Sequence, residues 1–180
     1  KNRISYETLK KLFENLKVNG WEPLHEKGNI IGMQRNKQQI TTEPGLQCEL
    51  SGAPLENIHQ VCSESSKFLK EIEIASKGLD VNTVSIGFDP FNNLSDIPQS
   101  PKTRYKIMTK EMPKGGKQSL EMMYRTCGIQ INYDYTSEEN FEKIFRLGNY
   151  LTPLTIALYS NSPFESGQPV GYYSYRNKVW

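Results

Sequence analysis

The chain is poor in most of the features that mark common functional classes. It has no run of about 18 apolar residues, so no membrane-spanning helix is expected. Its first residues hold no apolar core of the kind found in secretory signals, which favours a soluble, non-exported protein. Histidine is limited to His25 and His59, without His-x-x-x-His spacing. His59 and Cys62 share a helix face, but two ligands do not make a zinc site. The cysteines Cys48, Cys62 and Cys127 are odd in number, far apart and free of any C-x-x-C pair, which fits reduced thiols better than a disulfide framework. A net charge of +2 is too small for a nucleic-acid groove, and the lysines scattered among glutamates over 67–77 read as a solvated helix face. No nucleophile elbow for a Ser-His-Asp hydrolase is present. Gly115-Gly116-Lys117-Gln118-Ser119 lacks the upstream glycine, the Lys-Ser/Thr pair and the buried strand of a phosphate loop. Asn93-Leu94-Ser95 is a chance glycosylation match in a non-exported chain.

A length of 180 residues allows one ordinary core. Ser5 is placed to cap a helix over 6–19, with Tyr6, Leu9, Leu12, Phe13 and Leu16 on one stripe and Gly20 ending it. Short strands are expected over 21–25, 29–34 and 38–42, separated by Lys27-Gly28 and Asn36-Lys37, and a further strand carries the glutamates that follow. Pro54 opens a second helix to about Lys77, with Leu55, Ile58, Val61, Cys62, Leu69 and Ile72 largely on one side. A strand over 81–88, a helix over 104–111, a strand over 125–135 and a long helix capped by Ser137 complete the pattern, the last helix passing or kinking at Pro153. No internal repeat and no regular βαβ rhythm is visible. The expected class is therefore α+β with an antiparallel sheet and flanking helices.

Two acids dominate the chemistry. Glu43 and Glu49 lie six positions apart in a β-leaning stretch, so strand alternation aims both at one face. A straight strand would hold them roughly 20 Å apart, but Pro44-Gly45 is a bend or bulge signal that shortens this. Two solvated acids on an edge strand would carry the same spacing. In 125–135, Thr126, Gly128, Gln130, Asn132 and Asp134 alternate with Cys127, Ile129, Ile131 and Tyr133. The first set is small and amide-rich rather than Lys/Glu-rich, as a ligand-facing sheet surface would be.

The stretch Glu-Pro-Gly-Leu-Gln-Cys-Glu-Leu-Ser-Gly-Ala-Pro resembles the Glu-Pro-Gly-Gly-Gln-Phe-Glu-Leu-Ser-Gly-Ala-Pro motif of glutamate–cysteine ligases of the plant and proteobacterial type. Leu46 replaces the second glycine and Cys48 the phenylalanine. Met-Met-Tyr-Arg-Thr-Cys-Gly-Ile-Gln-Ile-Asn-Tyr-Asp-Tyr is similar to that family's Met-Met-x-Arg-Thr-Cys-Thr-Val-Gln-Val-Asn-Leu-Asp-Phe. Arg104 lies in Pro-Lys-Thr-Arg-Tyr-Lys-Ile-Met, which resembles Pro-Lys-Gly-Arg-Tyr-x-Ile-Met. Arg176 lies in Gly-Tyr-Tyr-Ser-Tyr-Arg-Asn-Lys-Val-Trp, which resembles Gly-Phe-Leu-Ser-x-Arg-Ser-His-Ile-Trp. The matches to Gly87-Phe88-Asp89-Pro90 and Asn161-Ser162-Pro163-Phe164 read as scaffold turns.

The resemblance runs from about Ile4 to Trp180, and it implies a sheet-walled funnel of the glutamine-synthetase-like superfamily. It further implies ATP-dependent ligation of the γ-carboxylate of L-glutamate to the amine of L-cysteine through a γ-glutamyl phosphate, the first step of glutathione biosynthesis. ATP and Mg2+ are the implied cofactors, with Glu43 and Glu49 as metal ligands. Arg104 and Arg176 are the implied catalytic and glutamate-binding residues, and Thr126, Gln130 and Asn132 the implied funnel wall. No nucleic-acid or membrane partner is expected, and the location is the bacterial cytoplasm, or a plastid or cytosol in a plant. A ligase joining a different amino acid, or a non-catalytic amino-acid-binding domain, would carry the same marks. Such ligases are more than twice as long and begin with a Glu-x-Glu-type metal motif. The chain is therefore expected to be an internal part of one catalytic domain, truncated at both ends and inactive alone.

Overall fold

The computed structural model describes residues 3–180. Helix α1 (Tyr6–Leu16) starts where the Ser5 hydroxyl accepts from the Thr8 amide at 3.1 Å, and it buries Leu9, Leu12, Phe13 and Leu16. It tightens into a 3-10 turn, Lys17–Asn19, and stops at Gly20, whose φ of +81° is the left-handed conformation that favours glycine. Four strands follow as an antiparallel meander: β1 (Glu22–Glu26), β2 (Asn29–Arg35), β3 (Gln38–Thr42) and β4 (Cys48–Ser51), in spatial order β1-β2-β3-β4. Lys27 and Gly28 both take positive φ, the geometry a two-residue hairpin loop needs. Helix α2 (Ile58–Ala75) then returns, and a reciprocal capping box between Asn57 and Gln60 fixes its start. The core is Leu9, Leu12, Phe13 and Leu16 of α1 against Trp21, Ile30, Met33, Ile40 and Leu46 of the sheet region, closed by Ile72 and Ala75.

Beyond Asp80 the packing is lighter. Helices α3 (Thr103–Glu111) and α4 (Ser119–Arg125) share a small cluster of Ile97, Tyr105, Met123 and Tyr124. Helix α5 (Glu138–Tyr159), capped by Ser137, is followed by the short hairpin β5 (Phe164–Glu165) and β6 (Gln168–Pro169) and by α6 (Tyr175–Val179). Among the described residues no helix is long and apolar enough to cross a membrane. The mixed helix and antiparallel sheet expected from the sequence are both present.

Five expectations are corrected. Helix α2 begins at Ile58, not Pro54, because Asn57 caps it, its side chain accepting from the Gln60 amide at 3.1 Å. Its apolar stripe is only partly used: Leu55, Ile58, Val61 and Leu69 are exposed, since α1 meets α2 at its last turns, where Asn15 donates to the Ala75 carbonyl at 2.8 Å. Its charged face is not wholly solvated either. Glu71 is buried and accepts from Trp21 Nε1 and Arg35 Nη1, both at 2.9 Å. Burial alone would raise the Glu71 pKa, but those two donors outweigh it and hold it below the usual carboxylate range.

The expected strands over 81–88 and 125–135 do not form. Residues 119–125 are helix α4, whose Glu121 pairs with Arg125 four residues later. The two stretches meet in a single antiparallel bridge, Phe88 to Thr126, with Asp89 N donating to Arg125 O at 2.8 Å and Cys127 N to Gly87 O at 3.1 Å. From Cys127 to Tyr135 the chain is irregular and exposed on both faces, because no described strand lies alongside to continue the ladder.

Candidate functional site

The glutamate pair is built by one tight hairpin. Leu46 N donates to Glu43 O at 2.9 Å and Glu43 N to Gln47 O at 2.8 Å, so Pro44-Gly45-Leu46 is a three-residue loop between β3 and β4. In the ladder Thr41 faces Glu49. Glu43, two residues beyond Thr41 on the same face, is thus a diagonal cross-strand neighbour of Glu49. Such neighbours lie about 7–8 Å apart rather than the extended-strand distance. Leu46 takes the place of a glycine in the resembled motif and sits at φ +62°. That conformation costs a leucine about 1–2 kcal/mol, which its burial in the main core offsets. Gly45 is required for a different reason. A Cβ there would strike the Tyr124 carbonyl and lie 3.0 Å from Ile97 Cγ2 and 3.1 Å from Arg3 Nη2.

Around the pair, the Tyr105 hydroxyl donates to Glu43 Oε1 at 3.0 Å and to the Thr42 carbonyl at 3.2 Å. Burial and the Glu43 charge push the Tyr105 pKa far up, so its proton stays on as a donor. Glu49 is the more open acid, yet thinned water around its carboxyl, followed by the charge of Glu43, pushes its pKa up. Two neighbouring carboxylates are a hard-oxygen donor set that would suit a divalent cation such as magnesium. They would supply only part of a coordination shell: no group of three His, Cys, Asp or Glu among the described residues is arranged to hold a metal. Lys102 stands at the start of α3 with Nζ 5.2 Å from the centre of the Tyr105 ring. Partial desolvation lowers its pKa against the opposing pull of Glu43, Glu26 and Glu49.

The second half of the site hangs on the first through Gln47. Its side chain accepts from Gly45 N at 2.8 Å and donates to the Tyr124 and Thr126 carbonyls at 3.1 and 3.0 Å. Thr126 in turn receives Trp180 Nε1 at 3.4 Å on its hydroxyl. Arg176, in α6, donates from Nε to the Cys127 carbonyl at 2.9 Å and lies 4.9 Å from the centre of the Trp180 ring. Its backbone amide is held by Ser162 Oγ at 3.1 Å, so the Asn161–Phe164 turn is a support. Gly87 and Gly128 leave room for it: a Cβ on Gly128 would lie 2.7 Å from Arg176 Nη2, and one on Gly87 3.4 Å from Arg176 Cδ. The Nη edge makes no hydrogen bond among the described residues and is available for a carboxylate.

The predicted residues therefore fall into two groups. Glu43, Glu49, Thr126 and Arg176 belong to one tied assembly. Arg104 is exposed on the first turn of α3, beside Tyr105, and its side chain makes no hydrogen bond among the described residues. Gln130 and Asn132 lie on the exposed 127–135 segment and are not brought to a wall. Sequence reasoning missed Gln47, Lys102 and Tyr105, although all three sat inside the matched motifs. It also missed Arg125, which is buried and ion-paired to Glu121 at 2.9 Å and Glu165 at 3.2 Å, and donates to Asp89 O at 3.0 Å. The Glu121–Arg125 spacing was the available signal. Cys48, Cys62 and Cys127 are free thiols, and burial pushes the Cys48 pKa up to about 12.

Residues 7–180 match the family described as Glutamate-cysteine ligase family 2 (GCS2). The chain is 42% identical over 98% of its length to glutamate–cysteine ligase A, chloroplastic, of Oryza sativa subsp. japonica, and covers 36% of that protein. It is likewise 42% identical over 98% of its length to the chloroplastic glutamate–cysteine ligase of Medicago truncatula, covering 35% of it. Against the chloroplastic enzyme of Arabidopsis thaliana it is 44% identical over 89% of its length, covering 31%. The chain thus spans about a third of the length of the curated relatives it matches.

Proposed function

The chain belongs to glutamate-cysteine ligase family 2, and from that premise we propose that it is part of the catalytic domain of an ATP-dependent ligase joining L-glutamate to L-cysteine. The reaction would be the first step of glutathione biosynthesis. The γ-carboxylate of glutamate takes a phosphoryl group from ATP, the cysteine amine attacks the acyl phosphate, and γ-glutamylcysteine, ADP and phosphate leave. The observation that carries this reading is the β3–β4 hairpin, which folds two glutamates six positions apart into cross-strand neighbours and ties them through Gln47 to Thr126 and thus to Arg176.

In this reading Glu43 and Glu49 hold Mg2+, which when bound neutralises phosphate charge. The Tyr105 hydroxyl fixes the orientation of the Glu43 carboxylate by donating to Oε1. Arg176, braced at Nε by the Cys127 carbonyl, presents its Nη edge to a glutamate carboxylate as a planar fork. Arg104 takes the other glutamate carboxylate contact. The four-stranded sheet is one piece of a funnel of the glutamine-synthetase-like type, and Gln130 and Asn132 line it once further strands pair beside 127–135. A plastid location agrees with the names of the relatives.

The test is Glu49→Gln in the full-length enzyme. It should retain the fold and lose at least roughly 100-fold in turnover, because a metal ligand acts on transition-state charge. Near-normal turnover at saturating magnesium would remove Glu49 from the site.

A further inference from the structure

Lys102 is a cation set among acids without being paired to any of them. It occupies the N-cap of α3, and its ammonium lies 5.2 Å from the centre of the Tyr105 ring, whose hydroxyl donates to Glu43 at 3.0 Å. The next amide, Thr103 N, donates to Glu26 Oε1 at 2.8 Å, which brings a third carboxylate to the same end of the helix. Glu43, Glu26 and Glu49 all act on Lys102 electrostatically. Among the described residues it forms no ion pair within 4.0 Å. Side chains free to close onto a carboxylate ordinarily do so. Here the ammonium sits over the Tyr105 ring instead.

We propose that Lys102 is the built-in counter-ion of the Glu43–Glu49 pair, stabilising the two carboxylates in the metal-free protein and competing electrostatically with the divalent cation that replaces it. This rests on the reading of Glu43 and Glu49 as metal ligands. A positive charge near the pair lowers the repulsion between the acids when no metal is bound. The same charge repels an incoming divalent ion, so occupancy follows the free metal concentration over a higher range than two bare glutamates would give. Lys102 is a positioning residue in this account, since it acts on the carboxylates and not on the reacting atoms. Removing its charge therefore has two opposite effects, which loss of packing alone does not produce.

The experiment uses the full-length enzyme without nucleotide and reads Mn2+ binding by electron paramagnetic resonance, together with the melting temperature in chelator. Lys102→Met should tighten Mn2+ binding by about fivefold, as expected for loss of one like charge near a divalent site at intermediate dielectric. It should also lower the metal-free melting temperature. Lys102→Arg should resemble the wild type in both. Lys102→Gln, which keeps more polarity, serves if the Met variant does not fold. Unchanged or weakened Mn2+ binding in the charge-removing variants, with binding still lost in Glu49→Gln, would overturn the counter-ion role and leave the metal site standing. Unchanged Mn2+ binding in Glu49→Gln would instead remove the metal reading itself.

Discussion

Residues 4–79 and residues 127–159 are both written in apolar periodicity, yet only the first stretch buries it. In the first, α1, the sheet and the end of α2 close on one another around Trp21, Phe13 and Met33. In the second, α5 runs 22 residues with no buried side chain, and Ile129 is 93% exposed and Tyr150 81% exposed. The aromatic rings of Tyr135, Phe141 and Phe145 touch only in sequence, at centroid spacings of 5.2 and 5.9 Å. Apolar patches of this size mark surfaces meant to be covered. Period alone thus tells which face of an element is apolar, while burial depends on whether a partner is within reach. The acids of the proposed site stand at the edge of the packed stretch, and the proposed funnel wall stands in the bare one.

The largest effect expected from this contrast is complete. A polypeptide of these 180 residues should show no glutamate- and cysteine-dependent ADP formation and should self-associate, because the apolar residues of its second stretch are uncovered. Turnover approaching about 1–10 per second would show that the bare stretch needs no partner.

Next in size is the packed stretch itself. Leu46→Ala should lower stability by about 2–4 kcal/mol in a denaturant titration, as for other buried leucines. Leu46→Gly should be no worse, and about 1 kcal/mol better, since glycine relieves the left-handed backbone. A glycine variant clearly weaker than the alanine one would mean that the φ of +62° carries no strain.

A smaller effect follows from Glu71. Its folded pKa lies below the ordinary value of 4.5, so the stability it contributes is fully present above that value. It disappears as pH falls through the folded value. The urea midpoint of the wild type should therefore drop more between pH 6 and pH 3 than that of Glu71→Gln. Parallel curves would show that Trp21 and Arg35 do not favour the ionised form.

The smallest effect distinguishes the two stretches most directly. Phe145→Ser should change the stability of the 180-residue polypeptide by less than about 0.5 kcal/mol, yet cost about 1–3 kcal/mol in the full-length protein. Equal effects in both would mean that α5 is exposed in the full-length protein too.

Much of the packed stretch was legible. Ser5, Gly20 and Lys27-Gly28 signal local geometry that needs no distant partner, and the meander followed from them. Asn57 was passed over for Pro54 because a proline at a helix start and an asparagine cap are both common, and only the Gln60 reply distinguishes them. The 125–135 alternation was the cleanest strand pattern in the chain and failed as a prediction of structure, since a ladder requires a second strand. Of the candidate site, the acids, Thr126 and Arg176 were named through motifs, and the structure ties them into one assembly. The role of Gln47 was not, although it sits in the same motif, because an amide that cross-links two loops leaves no periodic trace.

The chain's two tryptophans fall one in each kind of environment, with Trp21 buried under the Arg35 guanidinium at 4.2 Å and Trp180 open beside Arg176. Their emission should therefore separate by colour, Trp21 in the blue and Trp180 in the red. Denaturant would move the first band, while a carboxylate drawn to Arg176 would alter the intensity of the second, so one fluorescence spectrum reads the core and the arginine arm without any added label.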